Sequence, residues 1–335
     1  MKSLEFVPVE SCILCGCKEL HPAVGSSFRG VAFSYSYCTR CGLKRIDPQP
    51  TPESLEQFFR EDYWQENLKG TGIPRGDGYG DGSLNQMDLR MPKYKKVYDR
   101  VRMHLKSVRE IGPQTKFLEI GCGFGYTLQW LARDEGCQVF GVEPSDEAIK
   151  YCEESGSIKV VGRTAEGFFF EDGQKDETDE PEKFDVILFR HCLEILLKPR
   201  EILEKVRERL APGGLLMIYT SNLEYHNLMS PFTNFLYTRE TLSRLLALTG
   251  FDVQKVIAPP SPKDHETAVA VTPHYELIVF AKPGEVREPA IPKVDVMELI
   301  KAVELGESAN HWAKLSATDL MVLLQKKIKR RVFKK

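Results

Sequence analysis

Hydrophobic and polar positions follow two alternating periods through most of the chain. Short apolar runs typical of buried strands lie at residues 116–120, 138–143, 158–162, 184–189 and 215–220. Segments with apolar positions at helical spacing separate several of them, at residues 126–134, 145–155 and 199–211. A helix between two strands usually gives parallel pairing, because it carries the chain back to the starting end of the sheet. The pattern therefore predicts an α/β fold with a doubly wound parallel sheet.

The last part of this pattern predicts a change of strand direction. A capped amphipathic helix over residues 238–251 is followed by apolar runs at 251–257 and 274–281. We expect these two runs to pair as an antiparallel hairpin that closes a seven-stranded sheet. Upstream of the sheet, residues 91–106 are predicted to form a helix, and another helix is predicted to begin at Thr51.

Two segments lack a clear period. Residues 70–85 contain six glycines, which predicts a linker or a lid because such a stretch does not hold one conformation alone. The last ten residues hold seven basic side chains and follow a candidate amphipathic helix. This tail is predicted either to contact an anionic acceptor, a membrane surface or RNA, or to be a solvated end.

The first predicted strand ends in a glycine loop, LEIGCGFG, with Gly121, Gly123 and Gly125 on alternate residues. A dinucleotide-binding turn has G-x-G-x-x-G spacing, and here a tyrosine replaces the third glycine. Glu143 ends the second strand, where a carboxylate can accept the ribose hydroxyls of a nucleotide. Glu119 lies two residues before the loop and favours a ligand with an ammonium group over one with a phosphate. S-adenosylmethionine (SAM) has a ribose and an ammonium group and no phosphate, so we predict SAM rather than NAD.

Four cysteines form two C-x-x-C pairs near the N-terminus. Cys12 and Cys15 are separated from Cys38 and Cys41 by 22 residues, and a glycine follows each pair. This spacing predicts a tetrahedral zinc site in a ribbon of short strands, with Cys17 as an alternative ligand. Four thiolates leave no open coordination position, so we expect a structural role for the zinc. The alternative is a set of ordinary buried cysteines.

Composition and charge limit the classes of function. The chain has 335 residues, 42% of them apolar, and a formal net charge of −2, which argues against a nucleic-acid footprint over the whole protein. The N-terminus has no signal-peptide pattern, and no apolar run is long enough to be a transmembrane segment. We therefore expect a cytoplasmic protein whose nine cysteines are reduced or metal-bound.

Several motifs together resemble those of class I SAM-dependent methyltransferases. These are LEIGCGFG, VEPS at 142–145, FDVILFRHCLE at 184–194 and APGGLLMI at 211–218. The stretch YCTRCGLKRIDPQPTPESLEQFFREDYW resembles the zinc-binding domain of sugar C-methyltransferases. The resemblance implies a Rossmann-like sheet with a small N-terminal zinc ribbon. Four segments are predicted: a zinc ribbon at 1–50, a helix with the linker or lid at 51–94, a SAM-dependent methyltransferase domain at 95–283 and a helical extension with the basic tail at 284–335.

The resemblance also implies roles for individual residues around the cofactor. The three glycines would line the methionine part of SAM, with Glu119 near its ammonium group and Glu143 at the ribose. Ala165 and Glu166, after the third strand, would lie near the adenine. Arg190 and His191, after the fourth strand, would lie near the sulfonium.

Candidate catalytic residues follow from the same comparison. Relatives often have a glutamate-histidine pair where this chain has Glu194 and Ile195, so the base role of that histidine cannot be carried over. His191 is the nearest substitute, because a neutral imidazole can take a proton from an acceptor. The alternative is that His191 only packs or hydrogen-bonds at the cofactor pocket. His226 is a second candidate, on a loop after the fifth strand that we expect to face the substrate together with Asn222, Tyr225 and Phe232.

The predicted function is SAM-dependent methyl transfer to a small-molecule acceptor by in-line displacement. We expect the acceptor to be a sugar, a nucleotide-sugar or a secondary metabolite. Two alternatives remain open, namely an RNA methyltransferase in which the zinc ribbon recognises RNA, and a non-catalytic SAM-binding protein.

Overall fold

The computed structural model describes residues 4–23, 25–28, 30–63, 84–171, 182–225, 229–258, 276–291 and 294–313, with the backbone alone for 84–94, 171 and 306–313. Three sequence predictions lie outside these residues: the greater part of the lid (70–83), the loop residue His226 and the basic tail. Among the described helices, none is long and apolar enough to cross a bilayer.

The N-terminal part is built from short strands and one short helix. The strands are β1 (Phe6–Val7), β2 (Leu20–Pro22), β3 (Ser26–Phe28), β4 (Val31–Phe33), β5 (Tyr35–Cys38), β6 (Lys44–Ile46) and β7 (Gln49–Pro50). Helix α1 (Pro52–Gln57) is capped by the Thr51 side chain, which accepts a hydrogen bond from Ser54 N. A π-helical turn, Phe58–Asp62, continues it, so the helix predicted to begin at Thr51 is present and widens after Gln57.

The remaining chain alternates strands and helices. The elements are α2 (Leu84–Lys106), β8 (Lys116–Ile120), α3 (Tyr126–Glu135), β9 (Gln138–Val142), α4 (Asp146–Glu154), β10 (Ile158–Gly162), β11 (Phe184–Arg190), α5 (Pro199–Arg209), β12 (Leu210–Ser221), β13 (Phe235–Leu236), α6 (Arg239–Leu248), β14 (Phe251–Ile257), β15 (Glu276–Pro283) and α7 (Val296–Ala313). The predicted strands and helices are confirmed, with β12 several residues longer than expected.

Seven strands form one sheet in the order β10, β9, β8, β11, β12, β15, β14. The first five are parallel, and β15 runs antiparallel between β12 and β14. The predicted Rossmann-like sheet with an antiparallel end is therefore confirmed. The strand order reverses between β8 and β11, and in open α/β sheets ligands bind outside the carboxyl ends of the strands at such a point.

The core covers both faces of this sheet. Neighbouring residues of β8 point to opposite sides, with Leu118 in one apolar cluster and Phe117 in the other. Both residues are fully buried, as expected for a parallel sheet packed between two layers of helices. This rigid frame fixes the ends of β8, β9 and β11, from which the candidate site is built.

The ribbon is joined to the larger sheet region by backbone pairing. Strands β2, β5 and β6 form an antiparallel sheet, and β13 adds a fourth strand to it through pairing of Phe235 with Arg45. The Tyr35 hydroxyl donates to the carbonyl oxygens of Ser230, at 2.9 Å, and Thr233, at 2.6 Å. The ribbon and the segment after β12 thus form one continuous structure. The predicted boundaries between segments remain predictions.

Candidate functional site

A cleft of about 380 Å³ opens at the carboxyl ends of β8, β9 and β11. The glycine loop and Glu143 form one side of it, and residues 190–198 form the opposite side. Residues of α1 and its π-helical turn cover it, among them Leu55, Phe59 and Tyr63. The cleft also contains most of the predicted cofactor residues: Gly121, Gly123, Glu143, Ala165, Glu166, Arg190 and His191.

The glycine loop has three left-handed residues, with φ of 70° at Gly121, 55° at Gly123 and 65° at Gly125. These angles are unfavourable for residues with a Cβ atom. Gly121 and Gly123 line the cleft. Gly125 serves packing instead, because a Cβ there would collide with the Ile158 side chain. The predicted ligand contact of Gly125 therefore has no support in the shape of the cleft, whereas its conformation is required at the start of α3.

Glu143 is held by the backbone of its own neighbourhood. Its Oε2 accepts from Gly123 N at 2.9 Å, and its Oε1 accepts from Ser145 N at 3.1 Å. The side chain is buried, and such charge-assisted bonds fix a carboxylate firmly. A carboxylate oxygen can accept more than one hydrogen bond, and ribose hydroxyls are suitable donors to it.

Glu119 and Arg190 form a buried ion pair across neighbouring strands. Arg190 Nε donates to Glu119 Oε1 at 3.1 Å, while the buried Glu119 Oε2 has no hydrogen-bond partner among the described residues. Burial raises the pKa of Glu119, and the charge of Arg190 offsets this only in part. A buried carboxylate oxygen without a partner is costly, and the ammonium group of SAM is a suitable donor. Glu119 itself is fully buried and is not among the residues that line the cleft, so its contact with the ammonium group remains a prediction.

Ala165 and Glu166 follow β10 and lie along the cleft, as their predicted position near the adenine requires. Burial raises the pKa of Glu166 above its ordinary value. The neighbouring Thr164 hydroxyl accepts from Gly167 N at 2.9 Å and so holds the turn that carries both residues.

His191 lies in the cleft wall with both ring nitrogens close to carboxylates. Nε2 is 3.0 Å from Glu276 Oε1, and Nδ1 is 3.3 Å from Glu194 Oε1. Glu276 also contacts Arg100, whose Nη1 lies 2.7 Å from Oε2. Burial lowers the pKa of His191, but the hydrogen bonds and charges of Glu194 and Glu276 outweigh it and raise the pKa to about 9. Burial raises the pKa of Glu276, but His191 and Arg100 outweigh it and lower the pKa to about 2.

This arrangement bears on the expectation of a neutral base at His191, which remains a prediction. With a pKa of about 9 the imidazole is protonated at neutral pH, and a protonated ring has no lone pair to accept a proton. The alternative reading, hydrogen bonding at the pocket, agrees with the geometry. His191 also has a left-handed backbone, with φ of 52°, which directs its side chain toward β15. No sequence pattern indicates Glu276, 85 residues away, as its partner.

The predicted substrate loop differs from expectation in what it contacts. Asn222 is almost fully buried, and its Oδ1 accepts from Glu224 N at 3.2 Å. Phe232 stacks on Phe58, with ring centroids 5.1 Å apart, so it supports the cover of the cleft from behind. Neither Asn222, Tyr225 nor Phe232 is among the residues that line the cleft. Leu55 and Phe59, which sequence reasoning did not assign to the site, occupy that place; their apolar helical spacing was the available signal.

The four predicted zinc ligands lie together in the ribbon. The Sγ atoms of Cys12, Cys15, Cys38 and Cys41 are all within 4.8 Å of one another, with two pairs at 3.5 Å. Zn–S bonds of about 2.3 Å in a tetrahedron place sulfurs about 3.8 Å apart, so this set fits a zinc ion. Cys17 is outside the group, with its Sγ near Thr39 Oγ1 at 3.8 Å.

Comparisons with known proteins agree with this picture for one segment of the chain. A family model described as a methyltransferase domain matches residues 93–256. The ubiquinone biosynthesis O-methyltransferase of Actinobacillus pleuropneumoniae serotype 7 is 36% identical over 112 residues, 32% of this chain and 46% of that protein. The tRNA U34 carboxymethyltransferase of Pseudoalteromonas translucida is 28% identical over 134 residues, 38% of this chain and 37% of that protein. The chain thus spans less than half the length of either relative.

Among solved structures, the CcbJ methyltransferase of Streptomyces caelestis superposes with a TM-score of 0.42 at 14% identity, covering 56% of this chain and 89% of that one. The family model thus matches the segment that contains most of the Rossmann-like sheet, from α2 to β14.

Proposed function

We propose that this protein transfers a methyl group from SAM to a small-molecule acceptor, namely a sugar, a nucleotide-sugar or a secondary metabolite. The observation that carries the proposal is Glu143, which two backbone amides hold at the floor of the cleft beside Gly121 and Gly123. A carboxylate fixed in this way next to a glycine loop suits the ribose of a nucleoside that lacks a pyrophosphate.

The proposed contacts divide the cleft along the cofactor. Glu143 accepts the ribose hydroxyls, and the unpartnered Oε2 of Glu119 accepts the ammonium group. Gly121 and Gly123 allow the methionine part to approach the backbone closely, while Ala165 and Glu166 border the adenine. The bound cofactor supplies a methyl group on a positively charged sulfur. In an in-line displacement the acceptor atom bonds to that carbon as the carbon–sulfur bond breaks, and positioning supplies most of the rate gain.

We propose a structural role for zinc in the ribbon. The four thiolates would complete a tetrahedral site, and the ribbon would then hold α1 over the cleft through its continuous strand pairing with β13. None of the four cysteines lines the cleft, which supports a structural rather than a catalytic metal.

Calorimetric titration tests the cofactor part of the proposal. The zinc-loaded full chain is titrated with S-adenosylhomocysteine and, separately, with NADH. We expect binding of the first alone and its loss in Glu143→Ala. The matched control is Glu153→Ala, which removes an exposed carboxylate from α4. Binding of NADH instead, or S-adenosylhomocysteine binding that Glu143→Ala leaves intact, contradicts the proposal.

RNA remains the second candidate acceptor, because one relative is named for a tRNA modification. The near-neutral charge of the chain favours a small acceptor. Copurification of RNA that survives high salt, together with methyl transfer from labelled SAM to that RNA, would favour the RNA reading. A third possibility is a non-catalytic SAM-binding protein. It would be favoured if labelled SAM binds but no methyl transfer occurs to any of a broad set of metabolites or to RNA.

A further inference from the structure

His191 connects three parts of the fold that are far apart in sequence. The residue follows β11, and its ring lies between Glu194, in a short 3-10 turn at Leu193–Ile195, and Glu276, the first residue of β15. Arg100 of α2 contacts Glu276 from the other side. A single chain of alternating charges therefore links α2, β15 and the turn that leads into the cleft wall.

The geometry determines the state of the ring. A neutral imidazole has one N–H donor and one lone pair. Here both nitrogens are within 3.3 Å of carboxyl oxygens, and an ionised carboxylate can accept hydrogen bonds but cannot donate them. A lone pair facing a carboxylate would be repelled, whereas a doubly protonated ring donates to both. The contact of Glu276 with the always-charged Arg100 supports its ionised state.

Other charged and titratable groups surround this chain of contacts. On β11, the adjacent Arg190 is paired with Glu119. On β12, Tyr219 lies beneath Arg100 and its hydroxyl is 2.8 Å from His104 Nδ1. Tyr237 directly follows β13, and burial, together with the charge of Glu194, raises the pKa of its hydroxyl. Because the positive groups Arg190 and Arg100 already have carboxylate partners, the imidazole faces no unbalanced cation at close range among the described residues.

We infer that His191 is a positioning residue, an imidazolium that joins Glu194 to Glu276 and thereby holds residues 192–198 as a wall of the cleft. Both of its nitrogens are engaged in these contacts, so the ring does not take a proton from the acceptor. The wall includes Cys192, whose side chain packs against Gly121, and Ile195, and both residues line the cleft. The role of that wall in binding the cofactor rests on the proposed function, whereas the state of the ring does not.

Nitrogen-15 NMR of histidine-labelled full chain tests the state of the ring directly. At pH 7.5 we expect one imidazole with both nitrogens protonated, absent from the spectrum of His191→Gln. In Glu276→Gln we expect this signal to change to that of the neutral ring at a lower pH than in the native chain. This change assigns the signal to His191 without removing the ring. A His191 signal that is neutral at pH 7.5 in the native chain would overturn the inference, and this readout needs neither cofactor nor acceptor.

Two replacements of His191 separate positioning from proton transfer. His191→Lys keeps a positive charge with three donors, whereas His191→Gln offers one donor group and one acceptor. Both variants place a residue with a Cβ atom at the left-handed φ of 52°, so the conformational cost of that backbone is the same in both. We expect His191→Gln to weaken S-adenosylhomocysteine binding about ten-fold, which is about 1.4 kcal/mol, and His191→Lys to restore most of it.

The possible results are distinguishable from failure of the proposed function. If the native chain does not bind S-adenosylhomocysteine, the proposed function fails while the NMR result still decides the state of the ring. If the native chain binds S-adenosylhomocysteine and both variants bind it as tightly as the native chain does, the inference that His191 positions the wall is wrong. If lysine binds as poorly as glutamine, a positive charge at this position does not hold the wall, and the inference is also wrong.

Discussion

The two sides of the cleft are built by different means. On the glycine side, Glu143 is held by backbone amides at most 20 residues away in the chain. On the opposite side, Arg190 and His191 are held by side chains 71 and 85 residues away, Glu119 and Glu276. The first side depends on backbone conformation, and the second depends on the ionisation of buried groups.

This difference determines how each side responds to change. Backbone N–H donors do not titrate, but the left-handed Gly123 that supplies one of them is intolerant of a Cβ atom. A chain of ion pairs tolerates small backbone changes but loses its contacts when one member gains or loses a proton.

The largest effect is expected from Gly125→Ala on the glycine side. A left-handed alanine costs roughly 1–2 kcal/mol, and crowding against Ile158 adds roughly 1–3 kcal/mol, so the free energy of unfolding should fall by about 2–5 kcal/mol. Urea unfolding at neutral pH measures this change. S-adenosylhomocysteine affinity should fall as well, because Gly125 ends the loop that contains Gly121 and Gly123.

Gly156→Ala is the matched control for that substitution. Gly156 has φ of 68°, but a Cβ there would meet no atom within 4 Å, so only the backbone cost of roughly 1–2 kcal/mol applies. Adding Ile158→Val to Gly125→Ala removes the colliding Cδ1 and should bring the loss closer to that of the control. Equal losses in Gly125→Ala and Gly156→Ala would show that packing against Ile158 is unimportant.

A smaller effect is expected from pH, on the opposite side alone. The pKa of His191 rises from 6.5 to about 9 on folding, so its contacts stabilise the fold fully below pH 6.5 and lose that contribution as the pH rises through 9. The shift corresponds to at most about 3 kcal/mol. The pKa of Glu276 falls from 4.5 to about 2, so its contribution is present above pH 4.5 and is lost as the pH falls through 2.

Unfolding of the native chain and His191→Gln at a series of pH values measures this contribution. The difference in free energy between the two should be large at pH 6.5 and shrink toward pH 10, since other titrating groups are common to both. A difference that stays constant from pH 6.5 to pH 10 would mean that the ring does not change its charge in this range.

The same division explains what the sequence could predict. The sheet, the glycine loop, Glu143 and the four clustered cysteines were accessible because each rests on a local period or spacing. The state of His191 was not, because it depends on Glu276, which β15 brings beside β12 in the folded sheet. A residue's pKa reflects its neighbours in space, and a sequence motif reports only its neighbours in the chain.

The cover of the cleft shows the same limit in another form. Phe59 and Tyr63 were visible as aromatic positions near a helix, but their assignment required the position of α1 relative to the sheet. That position depends on the ribbon and on Phe232, which stacks on Phe58 from a loop more than 170 residues later. Helical spacing indicates that these residues share one face of a helix, but it does not indicate which surface that face covers.

The smallest effect is expected from Ser145→Ala, which tests how Glu143 is held. The Ser145 hydroxyl caps α4 by accepting from Ala148 N at 3.4 Å, and loss of such a cap costs about 1 kcal/mol. Glu143, however, accepts from the backbone N of Ser145, which alanine retains. We therefore expect a lower free energy of unfolding with an unchanged affinity for S-adenosylhomocysteine in calorimetry. If Ser145→Ala weakens binding as much as Glu143→Ala does, the helix cap rather than the backbone amides positions the carboxylate, and the contrast between the two sides of the cleft is smaller than the hydrogen bonds indicate.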